Sequence, residues 1–281
     1  MQTVLPKIPL AHWVNAFVTW LSSFLEPVTG FIAHVLRVAM NGMVAGLEWV
    51  PWWLLIVIVC ALAYYAGKWK MAIWTAIGLL LIYDLQLWNH MIITIVLVIM
   101  SALISVIIGL PLGIWSARSD KVYAVLAPIL DLMQTMPSFV YLVPVLIFFN
   151  IGKVPAIFAT VIFAMPPAIR LTRLGILQVP ADLVEAARAF GTADNQLLWK
   201  VQVPLALPSI KAGINQTVML SLSMVVIAAM IGAGGLGADV LNALETINVG
   251  QGFEAGLSIV IIAIILDRIS QNFGNARRKR A

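Results

Sequence analysis

The chain has 281 residues, of which 62% are hydrophobic and only 10% are charged, and its mean hydropathy is +1.01. Soluble domains usually have about 45–50% apolar and about 25% charged residues, so this composition excludes a cytosolic enzyme, an ordinary nucleic-acid-binding protein and a disordered chain. The net charge is +5, and the single cysteine, Cys60, excludes an internal disulfide framework and a multi-cysteine zinc site. We therefore predict an all-α polytopic membrane protein.

The N-terminal segment 1–48 resembles neither a signal peptide nor a regular membrane span. Prolines and charges interrupt it, and its apolar residues recur at helical spacing, as in Trp13 and Phe17. We predict that it forms one or two amphipathic helices on the external membrane face. The alternative is an extra span through 31–47, which would carry Arg37 within the membrane and place the N-terminus inside.

Uncharged stretches predict about seven transmembrane helices, because a helix needs about 20 apolar residues to cross about 30 Å of hydrocarbon. Two of these helices are peripheral and lie within 49–84, and five form a core within 85–271. Where a stretch is short, it reaches spanning length if a flanking charge sits at the interface. The stretches are 49–67, 71–83, 85–117, 132–152, 154–169, 212–238 and 255–266.

The basic residues predict the orientation, because Lys and Arg are enriched in cytoplasmic loops. If the C-terminus is cytoplasmic, only Lys7, Arg37 and Lys153 of the 17 Lys and Arg residues lie outside. The reversed topology would invert this ratio, so we predict an external N-terminus. The cytoplasmic segments are then 68–70, 118–121, 170–211 and the basic tail 272–281.

Asp131 is the one charge well inside a hydrophobic region, near the predicted cytoplasmic end of its helix. An ionisable residue within a membrane is a functional candidate by default, and a proton relay is one such role. Water or a lysine can reach this position, since Lys121 lies only ten residues earlier. We therefore favour a structural polar contact for Asp131 over a proton relay.

Residues 232–237 match the dinucleotide-binding fingerprint G-x-G-x-x-G letter for letter. That fingerprint requires a preceding β-strand in a soluble fold, whereas here a long apolar helix precedes it. We predict instead that the glycines allow a tight turn and the close approach of a neighbouring helix. The chain also has no P-loop and no metal-ligand spacing, so we expect no catalytic, cofactor or metal residue in it.

The predicted cytoplasmic loop at 178–208 is the only sizeable soluble segment. Residues 182–190 predict a short amphipathic helix, and Gly191 can end it in the left-handed conformation. A second short helix is expected over 192–200, and the next span after Pro208. The result is a compact knob that projects from the membrane and is suited to docking into a groove of another protein.

In this loop a Glu-Ala-Ala triplet is followed, after three intervening residues, by glycine and, after nine more, by Val-x-Val-Pro. This spacing resembles the EAA loop of ABC importer permeases, whose pattern ends in Ile-x-Leu-Pro. The residues that carry the resemblance are Glu185, Ala186, Ala187, Gly191, Val201, Val203 and Pro204. Further segments at 131–144, 162–170, 213–237 and 266–271 resemble the permease subunits of glycine betaine/proline betaine importers, which are binding-protein-dependent transport inner-membrane components.

This resemblance implies a type I ABC importer permease in a bacterial inner membrane, with its five-helix core within 85–271. Its implied partners are a second copy of the permease, two copies of a cytoplasmic ATPase and a separate external substrate-binding protein. ATP and Mg²⁺ would be bound by the ATPase and not by this chain. The resemblance also implies that the cytoplasmic loop couples the permease to the ATPase.

The implied substrate is a quaternary ammonium solute such as glycine betaine or proline betaine, taken up for osmoprotection. A path for such a solute needs aromatic or carbonyl surfaces and a few weakly polar groups. Choline, carnitine or another small amine remain alternatives, as does an ion-coupled secondary transporter from a different class. The path candidates are Gln134, Thr135, Met136 and Pro137, which interrupt one helix, and Ser221, Ser223 and Met224 on another, with simple helix packing as the alternative.

Overall fold

The computed structural model describes residues 9–272, and this part of the chain contains helices and no β-strand. The prediction of an all-α protein is therefore confirmed, while Lys7 and residues 273–281 of the basic tail lie outside the described residues. A π-helical turn at Leu198–Gln202 leads into α10, and a 3₁₀ turn at Ala228–Ile231 follows it. The helices are α1 (Leu10–Trp49), α2 (Trp52–Asp84), α3 (Trp88–Arg118), α4 (Asp120–Thr135), α5 (Ser138–Phe149), α6 (Lys153–Ala164), α7 (Pro166–Leu177), α8 (Ala181–Ala189), α9 (Asp194–Leu197), α10 (Val203–Ile227), α11 (Leu236–Glu245) and α12 (Val249–Asn272).

Six helical stretches in the described range are long and apolar enough to cross a membrane, and the bent pair α4–α5 makes a seventh if it is one span. This agrees with the predicted number of about seven. The distribution differs, because the sequence predicted no span within 1–48, where the structure has one candidate. Within 49–84 it predicted two spans, and there the structure has one helix of spanning length and composition that folds back on itself. The six are His12–Trp49, Trp52–Asp84, Trp88–Arg118, Lys153–Leu177, Asp194–Ile231 and Val249–Gln271.

The N-terminal region forms one continuous helix, α1, of 40 residues. Pro27 lies inside α1 and does not end it, because a proline removes only one backbone hydrogen bond and the flanking turns remain helical. The buried side chains of α1 belong to its second half, Ala33, Met40 and Val44, and this helix packs on α3 and α5. The first half is mostly exposed, so α1 is anchored by its C-terminal turns.

Helix α2 folds back on itself at Gly67 and Lys68, whose backbone dihedrals are non-helical. The ring of Trp52 at its start stacks on the ring of Tyr83 at its end, with centroids 4.4 Å apart. The two arms correspond to the spans predicted at 49–67 and 71–83. Each arm has about 15 residues and a length of about 22 Å, which is less than the hydrocarbon thickness of about 30 Å.

The centre of the bundle is α7, which packs most extensively against α10 and α3. Glycines permit this close packing. A Cβ added at Gly113 of α3 would lie 2.7 Å from Cβ of Thr172 in α7. A Cβ added at Gly213 of α10 would lie 3.1 Å from the carbonyl oxygen of Pro167. Larger side chains at these positions would force the three helices apart.

The helices run between two ends of the bundle. At the first end, the ring of Tyr83 lies 6.0 Å from the ring of Trp88, and Nδ1 of His90 lies 2.6 Å from a carboxylate oxygen of Asp239 in α11. We call this the aromatic end. The opposite end is formed where α3, α7 and α12 finish and where α4 and α10 begin, and we call it the basic end. Its basic residues include Lys68 and Lys70 in the turn of α2, and Arg118, Lys121, Arg170, Arg173, Lys200, Lys211 and Arg268.

Candidate coupling surface and translocation path

The loop between α7 and α10 forms a small projection at the basic end. Helix α8 has no buried residue, and its main contacts are with α9 and the π-helical turn. Gly191 has a φ of +78°, so it reverses the chain after α8 in the left-handed conformation that the sequence predicted. Across this bend, Arg188 lies 3.6 Å from the carboxylate of Asp194. The projection is therefore two short helices held in a sharp bend, and we call it the knob (residues 181–202).

The knob exposes the small residues of the motif. Glu185, Ala186 and Gly191 are exposed and Ala187 is half-buried, and a Cβ added at Gly191 would have no atom within 4 Å. Another protein can therefore approach the backbone closely. Beside Gly191, the ring of Phe190 is 89% exposed, and the sequence analysis did not single it out. The sequence did contain a signal for this exposed ring: Phe190 is an aromatic residue at the C-terminus of a short helix, in a loop that has no hydrophobic core to cover it.

The last three motif residues, Val201, Val203 and Pro204, lie at or just before the start of α10 and not in the exposed bend of the knob. Val201 and Val203 are half-buried and Pro204 is exposed. The prediction that the next span starts after Pro208 is wrong, because α10 begins at Val203 and both prolines lie within it. Pro204 is tolerated in the first turn, where its missing N–H has no helical partner to lose. Val203 packs against a small hydrophobic cluster of Ile176, Leu198, Ala206 and Ile210, so it anchors the knob to the bundle.

Two ion pairs join α4 to α7, the helix that precedes the knob. Arg170 donates to the carboxylate of Asp131, so the predicted structural contact for Asp131 is confirmed. One turn further on, Nη2 of Arg173 lies 3.0 Å from Oδ1 of Asp120, and Nε donates to the carbonyl oxygen of Ser116 at 3.2 Å. The guanidinium of Arg173 also lies 3.5 Å from the ring centroid of Tyr123. Helices α4 and α7 are thus held together at the basic end.

The predicted interruption at 134–137 is present between α4 and α5, whose axes differ by 104°. The hydroxyl of Tyr141 lies 2.5 Å from the carbonyl oxygen of Met133, so it satisfies one of the carbonyls that the end of α4 leaves free. The break leaves polar and backbone groups accessible, as a substrate path requires. Gln134, Thr135 and Pro137 are exposed, and Met136 is half-buried.

The three candidates on α10 do not share one face. Ser221 and Met224 are fully buried, and Oγ of Ser221 donates to the carbonyl oxygen of Thr217 at 2.8 Å. This is the arrangement that the helix-packing alternative requires. Ser223 is exposed on the opposite face, in line with two exposed residues about two and three turns before it in α10, Gln216 and Ala212, and with Met230 in the 3₁₀ turn that follows. These four residues form an exposed stripe, and its amide, Gln216, is a polar residue that the sequence analysis did not select.

The glycine-rich segment at 232–237 forms a tight turn after α10. Gly232, Gly234 and Gly235 have φ values of +83°, +78° and +69°, which a residue with a Cβ adopts only with strain. A Cβ added at Gly237 would lie 3.0 Å from Cα of Val226. The expectation of a tight turn with a close helix approach is confirmed, and a helix precedes this turn instead of the strand that dinucleotide binding needs.

The apolar bundle carries an exposed knob between α7 and α10 and a break between α4 and α5. The chain is a transport permease of the ABC importer class, because the family model described below matches more than half of it. Solved structures share this fold. An inward-facing MetNI methionine ABC transporter has a TM-score of 0.59 and 24% identity, covering 66% of this chain and 92% of that chain. An amino acid ABC transporter has a TM-score of 0.57 and 20% identity, covering 71% of this chain and 95% of that one.

The chain belongs to the family of binding-protein-dependent transport system inner membrane components, whose model matches residues 109–279. It is therefore a multi-pass membrane protein and a permease subunit. The glycine betaine permease OpuAB of Bacillus subtilis is 51% identical over 276 residues, which cover 98% of each chain. The glycine betaine/proline betaine permease ProW of Escherichia coli is 45% identical over 273 residues, covering 97% of this chain and 77% of ProW.

Proposed function

We propose that this chain is the permease subunit of an ATP-driven importer that takes up a small quaternary ammonium solute of the glycine betaine or proline betaine type. The observation that carries the proposal is its extensive similarity, along nearly its whole length, to permeases named for these solutes. Uptake of such a solute would serve osmoprotection. No observation in the structure favours an ion-coupled secondary transporter, which would leave the exposed knob unexplained.

The proposed assembly contains two copies of this permease, two cytoplasmic ATPase subunits and a separate external substrate-binding protein. The knob with Glu185, Ala186 and Gly191 would sit in a groove of the ATPase, which binds ATP and Mg²⁺. The exposed face of Phe190 would be covered by the same contact, since a large aromatic ring is unfavourable in water. Support comes from the exposure of the motif residues and from the family to which the chain belongs.

The orientation in this proposal has the basic end in the cytoplasm and the N-terminus outside. The hairpin α2 supports this, because its turn with Lys68 and Lys70 is at the opposite end from Trp52 and Tyr83. For α1 we propose the external position, with the helix lying along the membrane face. Arg37 supports it, since this residue lines a cavity together with residues of the loop after α5 at the aromatic end.

Mechanistically, closure of the ATPase pair would press the two knobs together. The force would pass from α8 into α7, and through the Asp131–Arg170 ion pair into α4 and the break after Thr135. The permease would then be one bistable element whose inward- and outward-facing states bind the ATPase and the binding protein differently. The break at 134–137 and Ser223 on α10 would offer the solute the weakly polar surfaces that it needs.

The experiment that tests this function is reconstitution of the permease and its ATPase in lipid nanodiscs with the purified binding protein. We expect ATP hydrolysis to rise when the binding protein carries glycine betaine, and less when it is offered choline or carnitine. If only choline or only carnitine stimulates ATP hydrolysis, and glycine betaine does not, the substrate is that alternative solute. Hydrolysis that is indifferent to the binding protein would contradict a binding-protein-dependent importer.

A further inference from the structure

A cavity of about 320 Å³ lies at the aromatic end of the bundle, between α1 and the loop that joins α5 to α6. Arg37 and Asn41 line it from α1, and Phe149 together with residues 151–155, which include Lys153, lines it from the other side. The two sides come from separate parts of the sequence. Arg37 precedes the family-matched region at 109–279, and Lys153 lies inside it. The cavity therefore needs α1 in addition to the core that the family shares.

The charges around this cavity are unbalanced. Arg37 and Lys153 are two of the three basic residues that the proposed orientation places outside, and both line the same small space. None of its lining residues is acidic, and none of the ion pairs found between residues 9 and 272 involves either cation. Two like charges in one cavity repel each other, and an anion between them removes this repulsion.

The start of α6 adds to the positive potential. Its N-cap residue, Gly152, has no side chain that could cap the helix, so N–H groups of the first turn remain free at the cavity. Pro155 contributes no N–H, and the N–H of Gly152 itself donates to the carbonyl oxygen of Ile231 at 2.9 Å. The chemistry of this site is that of a receptor for one negatively charged group.

We propose that this cavity receives a carboxylate side chain of the external substrate-binding protein when that protein docks. The proposal rests on the function proposed above, which supplies this partner. A carboxylate on a protein surface fits the charge and the small volume of the site. Arg37 and Asn41 are exposed on α1, so a side chain of a docked protein can reach the cavity from outside. A lipid phosphate carries the same kind of charge, and the experiment below distinguishes the two.

The position of the cavity explains how docking reaches the transport helices. The loop at its wall contacts the 3₁₀ turn that follows α10, since Gly152 donates to Ile231 and a Cβ added at Gly232 would lie 2.8 Å from Cγ2 of Ile151. The same loop ends α5, which begins at the break 134–137. An acidic group held by Arg37 and Lys153 would therefore act on both candidate path helices at their outer ends.

The test measures ATP hydrolysis by the reconstituted permease–ATPase complex as a function of the concentration of glycine-betaine-loaded binding protein. We expect Arg37→Glu and Lys153→Glu each to raise the concentration for half-maximal stimulation at least about tenfold, as loss of a charge pair at an interface does. The matched control is Lys70→Glu, which reverses an exposed charge at the basic end and leaves this concentration unchanged. Arg37→Met and Lys153→Met separate loss of the cation from repulsion by the new carboxylate.

Two results would overturn the proposal. The first is an unchanged half-maximal concentration in both charge-reversal variants, with normal assembly. The second is a loss of hydrolysis that is equal at every binding-protein concentration and varies with the fraction of anionic lipid, because the site would then bind a lipid phosphate. If assembly fails in the reversal variants, the same measurement on the Met variants decides between these outcomes. A wild-type complex that no loaded binding protein stimulates contradicts the proposed function itself.

Discussion

Arg170 in α7 donates a hydrogen bond to the carboxylate of Asp131 in α4. This contact joins the helix that leads into the knob to the helix that ends at the break after Thr135. Both side chains are partly exposed, so the pair contributes little to stability, about 0.2–1 kcal/mol. We propose that this pair acts as a mechanical link, because it lies between the coupling surface and the candidate path.

We predict that Asp131→Asn lowers ATP-driven uptake about three- to tenfold while assembly with the ATPase persists, because the mechanical link is lost and the fold is not. Asp120→Asn is the matched control. It removes the second ion pair between the same helices, at an aspartate whose side chain is 94% exposed, and should have a smaller effect. The double exchange Asp131→Arg with Arg170→Asp should recover part of the uptake. Wild-type uptake by Asp131→Asn would contradict the assigned role.

Gly191 allows a test in which backbone strain and bulk are separated. Its φ of +78° means that Ala and Arg both meet the left-handed penalty of about 1–2 kcal/mol, whereas only Arg adds bulk and charge to the exposed surface. We predict that Gly191→Ala retains most ATP-driven uptake and that Gly191→Arg loses nearly all of it, with the protein still present in the membrane. Similar uptake by the two variants would show that the ATPase does not approach this residue.

Ser223 and Ser221 form a natural pair of sites on opposite faces of α10. We predict that Ser223→Trp slows uptake at least about tenfold, without loss of the ATPase, because a large ring on the exposed stripe narrows the proposed path. Ser221→Trp should instead reduce the amount of folded protein, since this serine is completely buried. Purification yield and uptake per assembled complex measure the two effects. Unchanged uptake by Ser223→Trp would show that this face of α10 does not line the translocation path.

The close contact of α3 with α7 predicts a strong effect of a single methyl group. In Gly113→Ala the new Cβ would lie 2.7 Å from Cβ of Thr172, and relief of this overlap costs about 1–3 kcal/mol. Gly46→Ala is the control, because no atom lies within 4 Å of a Cβ added there. We expect the unfolding midpoint of the purified permease to fall in the first variant only. Equal midpoints would mean that α3 and α7 are further apart.

The reversal of α2 can be tested by cross-linking. Cysteines introduced by Trp52→Cys and Tyr83→Cys, in a chain with Cys60→Ala, should be joined by a short bifunctional reagent, since the native rings stack at 4.4 Å. In a straight helix the two positions would be about 46 Å apart, so no cross-link would form. A cysteine at position 70 should react with impermeant reagents from the cytoplasmic side. Labelling from outside would reverse the proposed orientation.

Much of this architecture follows from the sequence because it depends on local patterns. Charge-free stretches identified α3, α10 and α12, and the spacing around Gly191 identified the bend of the knob. Contacts between distant residues were less accessible. The pairing of Asp131 with Arg170 depends on how α4 packs on α7. The sequence predicted that Asp131 makes a polar contact, but it did not indicate which of many possible residues is the partner.

Some of the differences between the sequence prediction and the structure could have been anticipated from local sequence patterns. Ser221 and Ser223 are two residues apart, which places them about 200° apart around a helix. Helix geometry alone therefore shows that the two serines cannot both face the same path. The continuous α1 was harder to foresee, because Pro27 argues for a helix end while the packing of Met40 and Val44 stabilises the turns that follow it. Tertiary contacts outweighed local preference there.

The central claim is that this chain moves a quaternary ammonium solute by coupling to an ATPase. The most direct measurement is uptake of labelled glycine betaine into proteoliposomes that contain the permease and its ATPase, with the binding protein outside and ATP inside. The account predicts accumulation that requires both ATP and the binding protein and that persists when ionophores remove all ion gradients. Accumulation that needs an ion gradient and proceeds without ATP would contradict it.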